Sequence, residues 1–556
     1  MNRGGSNWKK RILWKFFPII CSVVLILSII SLIISGNSSA QFADYDGYDY
    51  AIRVEKNIYQ IIDVNDQKVL DSGDDFSALF NSKLMKLLKE SGSEKTIVID
   101  EGIYYVRSTL WPNSGLHLKG VEGSILVFDA SQTAKQISMI QIGQNTSPII
   151  IEGLTIDGNA QNTPNSGNLI SINGAPNVII KDCTLRNGPE HGIYAYRSIG
   201  AEEPYLAITG NDVNNMSKSG IHISLRGGDV SLSSNKVHSI GSDSVDMNAA
   251  IYCDNISNVT IENNIIHEVR GALLVGECYN VGGIVVRSSQ VGDVHVRENV
   301  VHNISGQGML FFNVNGPDIW MNIVRDVFYH GIYVEGSPYS TIRSNTIHNA
   351  TDGIVIGSYS PYFSIRSSAT NNEIIDCRER GLVIDSDDSE AIGNKIINCG
   401  RNWSEKTFDY AKSGILCYAS RSVIEGNVII DSKDGRTTLY GISDRLSSGG
   451  IGNDNSITNN NIEGAILGGI YISGSGHHIR DNIGFVSEGV GVVTIVAGST
   501  EAVVEHGLSW RPSSVNFYSE EGEILDIRVC SDSATIVFSL TQPLEYDLVL
   551  HWSAAM

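Results

Sequence analysis

An asparagine that returns at steps with a basic length of 22 to 24 residues restricts the fold of this 556-residue chain more than any other feature. It is Asn235 in NKVHS, Asn264 in NNIIH, Asn299 in NVVH, Asn322 in MNIVRD, Asn345 in SNTIH and Asn372 in TNNEII. Asn394, Asn427, Asn460 and Asn482 continue the series, and Asn211 and Cys183 take the same slot earlier. Longer steps carry an insertion. About nine residues after the slot comes Gly-Ile or a near equivalent, as in GIYAY, GIHIS, GIYVE, GIVIG and GIYIS. Between these marks run short stretches of period-2 alternation broken by Asn, Gly, Ser or Asp, the pattern of strands. No unit is long enough to bury a face alone, so the units must stack and share one core. The expected fold is all-β, a parallel β-helix solenoid of about twelve or more coils, spaced by the inter-strand distance of about 4.8 Å. The slot Asn then hydrogen-bonds to its copies in the coils on either side.

Alternation also orients the residues after the slot. Val237, Ile266, Val301 and Ile347 point inward with the Asn, so His238, His267, His302 and His348 form an outer column joined by Arg325. Stacked imidazoles can chelate a metal. No carboxylate is expected beside the row, so it reads as a polar outer strip, with no metal assigned.

The stretches KTIVIDEGIYYVRSTLWPNSGLHLKGVEGSILVF (95–128) and IIIEGLTIDGNAQN (149–162) carry a resemblance. With the repeats they resemble the right-handed parallel β-helix, pectate-lyase-like superfamily, in the form seen in prokaryotic and archaeal cell-surface proteins. The resemblance covers about residues 45–498 and implies fold rather than activity, since the superfamily hosts lyases, hydrolases, epimerases and non-catalytic surface proteins. In that family an amphipathic helix caps the N-terminal end of the core. DDFSALFNSKLMKLLKESG (74–92) matches such a helix, with Phe76, Leu79, Phe80, Leu84 and Leu87 on one stripe.

The ends differ from the solenoid. Arg3, Lys9, Lys10, Arg11 and Lys15 precede an apolar run from about Phe16 to Ile34. That length and flank predict a single-pass transmembrane signal-anchor, with a secretory signal cleaved after Ala40 as the alternative; both place Gln41 onward outside the cell. After about Gly498 the alternating strands lack the slot Asn and suggest a small C-terminal β module that caps the helix, trimerises or binds glycan. The expected plan is 1–40 cytoplasmic stub and anchor, 41–94 lead-in strands and capping helix, 95–498 β-helix and 499–556 C-terminal module. A net charge of −21 argues against nucleic acid as a partner. Cys377 and Cys399 occupy equivalent places in neighbouring repeats, where they either meet or stack in the core.

Functional residues gather on loops over rigid scaffolds. Four insertions, 241–248, 270–281, 400–413 and 432–440, lie between the slot and the Gly-Ile strand and should wall one side of that strand's outer face. There His222, Asp254 and Arg287 fall on three consecutive coils as candidate catalytic residues, with Tyr194, Tyr196, Tyr252 and His191 as candidate substrate-binding residues. Tyrosine faces suit sugar rings. An arginine can hold a uronate carboxylate, and a histidine or tyrosine can take the α proton. Asp254 with Asp243 or Asp246 would offer oxygen ligands to Ca²⁺, the one cofactor these residues admit. A second candidate site is Asp385, Tyr418 and Arg445 beside Trp403, Asp409 and Lys412. Glu335 and Asp254, about three coils or roughly 14 Å apart, are too distant for a glycoside hydrolase pair.

His191-Gly192 and His330-Gly331 copy the H-G of polygalacturonases, but the N-T-D, D-D and R-I-K motifs are absent. So is the D-P-H-D of mannuronan epimerases. No family catalytic residue is therefore carried over. Beside a weaker metal-handling class that would use the histidine column, two classes stay open. One is an extracytoplasmic, membrane-anchored protein that binds a polysaccharide and processes it as a lyase or uronate epimerase. The other is a non-catalytic adhesin or envelope component.

Overall fold

A computed structural model describes residues 45–555 apart from 46, 130, 132–137, 164–166, 198–204, 226, 242–247, 272–280, 288–292, 360–361, 401–411, 433–437, 445–452, 510 and 520–525. Among the described residues no helix is long and apolar enough to cross a membrane. The basic N-terminal stretch and its apolar run lie outside the described residues.

The chain winds through three sheets in every coil. One coil shows the route: Asn258–Glu262 in the first sheet, Ile265–Val269 in the second and Gly282–Arg287 in the third. The next strand, Val294–Arg297, returns to the first sheet and pairs in parallel with Asn258–Glu262. The second sheet holds 14 strands, from Gly102–Val106 to Asn461–Glu463. Inward positions form continuous aliphatic columns. In the third sheet Ile193, Ile221, Ile251, Ile284, Met309, Ile332, Ile354, Leu382, Ile415 and Ile442 succeed one another, all fully buried.

The corner between the first and second sheets is uniform. The residue before the slot takes a left-handed backbone, with φ 56° at Ser234, 56° at Asn263, 57° at Glu298 and 54° at Met321. The slot Asn is then buried. Asn264 Oδ1 accepts from both the backbone N–H (2.9 Å) and the Nδ2 (3.0 Å) of Asn235. Asn264 Nδ2 donates to Asn299 Oδ1 (2.9 Å) and to the Leu232 carbonyl (2.9 Å). The same pattern runs from Asn211 to Asn482. No polar group of the amide is left unpaired in the core. Cys183 sits at the head of the ladder, its N–H donating to Asn211 Oδ1 at 2.9 Å.

The Gly of Gly-Ile has a steric cause. A Cβ on Gly331 would lie 2.5 Å from Ile347 Cγ2 and 2.6 Å from the Gly353 carbonyl oxygen. The coil narrows there, and an inward side chain of the second sheet fills the space. Cys377 and Cys399 are free, buried thiols in contact within the core.

At the N-terminal end the strands Tyr50–Glu55, Ile58–Asp63 and Lys68–Gly73 pair antiparallel, and the first joins Lys95–Ile99 in parallel. Residues Phe76–Ser91 are helical, capped by the Asp75 carboxylate, which accepts from the Ala78 N–H at 3.0 Å. A π-helical turn at Phe80–Leu84 rotates the following face. Met85 and Leu88 therefore join Phe76, Leu79, Phe80 and Leu84 in the core, and Leu87 is only partly buried. At the other end Glu488–Ala555 holds two three-stranded antiparallel sheets around Phe538, Leu550 and Trp552.

Candidate functional site

Parallel register assigns the third sheet two outward columns. The first runs Tyr194, His222, Tyr252, Val285, Leu310, Tyr333, Val355, Val383, Leu416. The second runs Tyr196, Ser224, Asp254, Arg287, Phe312, Glu335. His222, Asp254 and Arg287 do lie on consecutive coils, but not in one column. Asp254 and Arg287 are directly paired, whereas His222 stands beside Tyr252 one column over. Each strand has two outward positions, and coil order alone does not separate them.

The outer face is also not the solvated strip expected of a solenoid. Val285 and Leu416 are 0% exposed and Leu310 2%, although all point outward. They pack in two small clusters bridged by Tyr333. The insertions at 242–247, 272–280, 401–411 and 433–437 flank this face in sequence but lie outside the described residues.

At the N-terminal margin of this covered zone the aromatic groups converge. His222 sits edge-on to Tyr194 (5.0 Å between ring centres, 83°) and His191 (4.8 Å, 79°), and 4.7 Å from Tyr252. Tyr194 stacks on Tyr196 at 5.3 Å. Burial, with Lys218 nearby, pushes His222 down to about 4, so its imidazole is neutral at neutral pH. Burial likewise pushes His191 down to about 3. The His191 Nδ1 accepts the Ser219 backbone N–H at 3.1 Å, which anchors the ring against the edge of His222.

Arg287 links the two columns. Its guanidinium lies 4.9 Å from the Phe312 ring centre, and its positive charge works against the burial that raises the Tyr252 hydroxyl. Burial raises the Asp254 and Glu335 carboxyls above their ordinary range, although Arg287 pulls both back. The Asp254 carboxylate accepts from Asn255 Nδ2 at 2.9 Å. Of the Ca²⁺ ligand set, Asp243 and Asp246 lie outside the described residues, and Asp254 stands beside the guanidinium.

A second charged group escaped the sequence reading. His330, Asp352 and Arg380 precede the Gly on three consecutive coils. Asp352 is 1% exposed. Its carboxylate accepts from Arg380 Nε at 2.7 Å and Nη2 at 2.9 Å, and His330 Nδ1 lies 3.1 Å away. Burial would raise that carboxyl, but Arg380 and His330 hold it well below the usual range. These residues sit in a turn, where period-2 alternation gives no orientation; their common place before Gly331, Gly353 and Gly381 was the available signal. In the second candidate site Asp385 and Tyr418 occupy adjacent coils, while Trp403, Asp409 and Arg445 lie outside the described residues.

The histidine column is as alternation predicts. His238 and His267 stack at 4.7 Å and 11°, His267 and His302 at 5.1 Å and 12°. Carboxylates do reach it: Glu268 Oε1 lies 3.7 Å from His267 Nδ1, and Asp212 Oδ1 3.2 Å from His238 Nε2. Glu268 has a left-handed backbone, φ 58°, which breaks the alternation on which the opposite expectation rested.

Against known proteins, the model of right-handed β-helix regions matches residues 138–320 and 282–505. The chain belongs to the right-handed β-helix family. None of the curated proteins matches it by sequence. Its fold is similar to a mutant tailspike protein of E. coli bacteriophage HK620 in complex with pentasaccharide. That match is 12% identical with a TM-score of 0.50 and covers 85% of this chain and 88% of the tailspike. The A-module of a mannuronan C-5 epimerase from Azotobacter vinelandii matches at 16% identity and TM-score 0.39, over 73% of this chain and 96% of that one. A family 28 exopolygalacturonase from Yersinia enterocolitica matches at 14% and 0.40, over 68% and 84%. At these identities the likeness is one of fold. Like any member of a widely used fold, this β-helix takes its function from its own site.

Proposed function

We propose that this β-helix binds a polysaccharide on the outer face of its third sheet, outside the cytoplasm, and acts there on uronate residues as a lyase or epimerase. The observation that carries this is the neutral His222 set among Tyr194, His191 and Tyr252, with Arg287 in register with Asp254 one coil on from Tyr252. Arg287 holds the uronate carboxylate and lowers the cost of the carbanion; His222 or Tyr252 takes the α proton. The tyrosine faces stack on the sugar rings. The HK620 tailspike, of the same fold, was solved with a pentasaccharide. The basic and apolar N-terminal stretch holds the domain at the membrane.

The test incubates the chain with acidic and neutral polysaccharides, with and without Ca²⁺. It follows ultraviolet absorbance of unsaturated uronate, uronate epimer ratio by NMR, new reducing ends and retention on immobilised glycan. Removing a positioned acid or base slows such steps by roughly 10²–10⁴-fold, so His222→Ala and Arg287→Ala should each lose most turnover. Turnover unchanged in both variants removes this site. A non-catalytic surface protein is the second reading, favoured by the covered outer column from Val285 to Leu416, which leaves that stretch closed to substrate. Glycan retention without product would support it.

A further inference from the structure

The outer face of the second sheet carries a cluster separate from the aromatic site. Parallel register places His238, His267 and His302 in one column, and Arg325 and His348 continue the row. One ligand atom each from His238, His267 and Glu268 lies within 4.8 Å of the others. We propose that these three residues, with His302 on the next coil, form a site for one late first-row divalent cation of the Zn²⁺ and Ni²⁺ class.

Three features go beyond a chance row of polar groups. First, the left-handed backbone of Glu268 turns its side chain back toward the column, where Oε1 lies 3.7 Å from His267 Nδ1. The other oxygen is held: Ser239 Oγ donates to Glu268 Oε2 at 2.9 Å, and the same hydroxyl lies 3.2 Å from His238 Nδ1. Second, Asp212 Oδ1 stands 3.2 Å from His238 Nε2, so a carboxylate fixes the ring nitrogen remote from the cluster, as carboxylates do for metal-ligating histidines. Third, His302 Nδ1 is buried and without a hydrogen-bond partner among the described residues.

The donor chemistry selects the ion. Two or three imidazoles and one carboxylate suit Zn²⁺, Ni²⁺ or Co²⁺, whereas Ca²⁺ and Mg²⁺ take oxygen ligands. With metal–ligand bonds of about 2.1 Å, donors must approach to roughly 3.0–3.5 Å, so side-chain rotation has to bring them about 1 Å closer. Glu268 is half exposed, its side chain at 50%, and the His267 side chain is at 18%, which leaves room for that rotation.

Zn²⁺ is titrated calorimetrically into the full chain in excess Ca²⁺ and Mg²⁺, which suppress loose binding to a chain of net charge −21. One saturable equivalent, with a rise in Tm on adding Zn²⁺, is expected. His267→Ala and Glu268→Gln should remove the saturable binding, and Ser239→Ala should weaken it roughly tenfold or more. Metal-free melting of each variant checks folding; if His267→Ala is perturbed, the comparison rests on Glu268→Gln, whose side chain is exposed. No saturable equivalent, or equal binding by wild type and Glu268→Gln, overturns the site. The polysaccharide reading involves none of these residues, so either can fail without the other.

Discussion

Two columns run the length of this β-helix and meet the same backbone need by different means. At the corner between the first and second sheets, each coil offers an N–H that the slot Asn of the next coil accepts. At the turn before the third sheet, each coil again offers an N–H, but the acceptor changes. Asn168 Oδ1 accepts from His191, His191 Nδ1 from Ser219, Gln307 Oε1 from His330, and Asp352 Oδ1 from Arg380. One column repeats a single solution and takes no insertions. The other solves the task coil by coil, and its variants introduce histidine, carboxylate and guanidinium beside the outer face. A repeated backbone therefore does not require repeated chemistry. Where the side-chain identity is released, charge and aromatic groups accumulate.

The sharpest way to break this contrast is to unpair the variable column at its most buried point. Asp352→Ala removes two of the side-chain hydrogen bonds of the partly buried Arg380 guanidinium, leaving the one to Glu379, and takes the carboxylate from beside His330, a loss of about 3–5 kcal/mol. Denaturant midpoints at constant m-value would measure it. A change under 1 kcal/mol would mean that Glu379 and solvent together replace Asp352 at the guanidinium, and that the column does not depend on that carboxylate. In the uniform column Asn322→Ala strands the Asn299 N–H, takes one of three acceptors from the Asn299 Nδ2 and removes the side-chain donor to the Val296 carbonyl and Asn345 Oδ1. The expected loss is about 2–4 kcal/mol, because each stranded buried group costs its desolvation. Slot substitutions along the ladder should agree closely with one another, whereas substitutions along the variable column should scatter.

How much of this was legible follows from the same difference. The slot asparagines could be read because a buried amide has few ways to be satisfied, and repetition makes the chosen way visible. The His238, His267 and His302 column could be read because alternation holds between slot and turn. Glu268 could not, since its left-handed backbone ends the alternation. His330, Asp352 and Arg380 sit in a turn with no periodicity to orient them. The covered outer column left a signal in the runs GGIVV, GMLFF and GILCY. These are apolar without alternation, as strands buried on both faces are.

Gly331→Ala tests whether Gly-Ile is steric punctuation or only a turn preference. The added methyl meets Ile347 Cγ2 and the Gly353 carbonyl. A loss of about 1–3 kcal/mol is expected from overpacking. If Ala is neutral there, the coil can widen, and the narrow waist does not hold the register of the third sheet.

The smallest effect sets the ladder, by pH, against a buried carboxyl inside the third sheet. Asp444 takes an inward place in the third sheet, where Ile384, Cys417 and Ile472 stand in register, so one coil puts a carboxyl into an otherwise apolar column. Burial, against one hydrogen bond from Asn455 Nδ2, pushes it up to about 7. The His477 Nε2 is 3.1 Å from Oδ2 but off the hydrogen-bond direction. The folded state therefore prefers the protonated acid. The contribution of Asp444 to stability is complete below about pH 4 and is lost as pH rises through about 7. Asp444→Asn keeps the size and removes the titration. The variant should match wild type near pH 4 and exceed it by about 1–2 kcal/mol near pH 7, once the approach of His477 offsets part of the burial. The slot Asn322→Ala difference should stay flat over that range, because no group in the ladder titrates. An Asp444→Asn difference that is also flat would mean that the carboxyl is ionised when buried and held by His477, which makes the pair an ion pair in the core rather than a neutral acid.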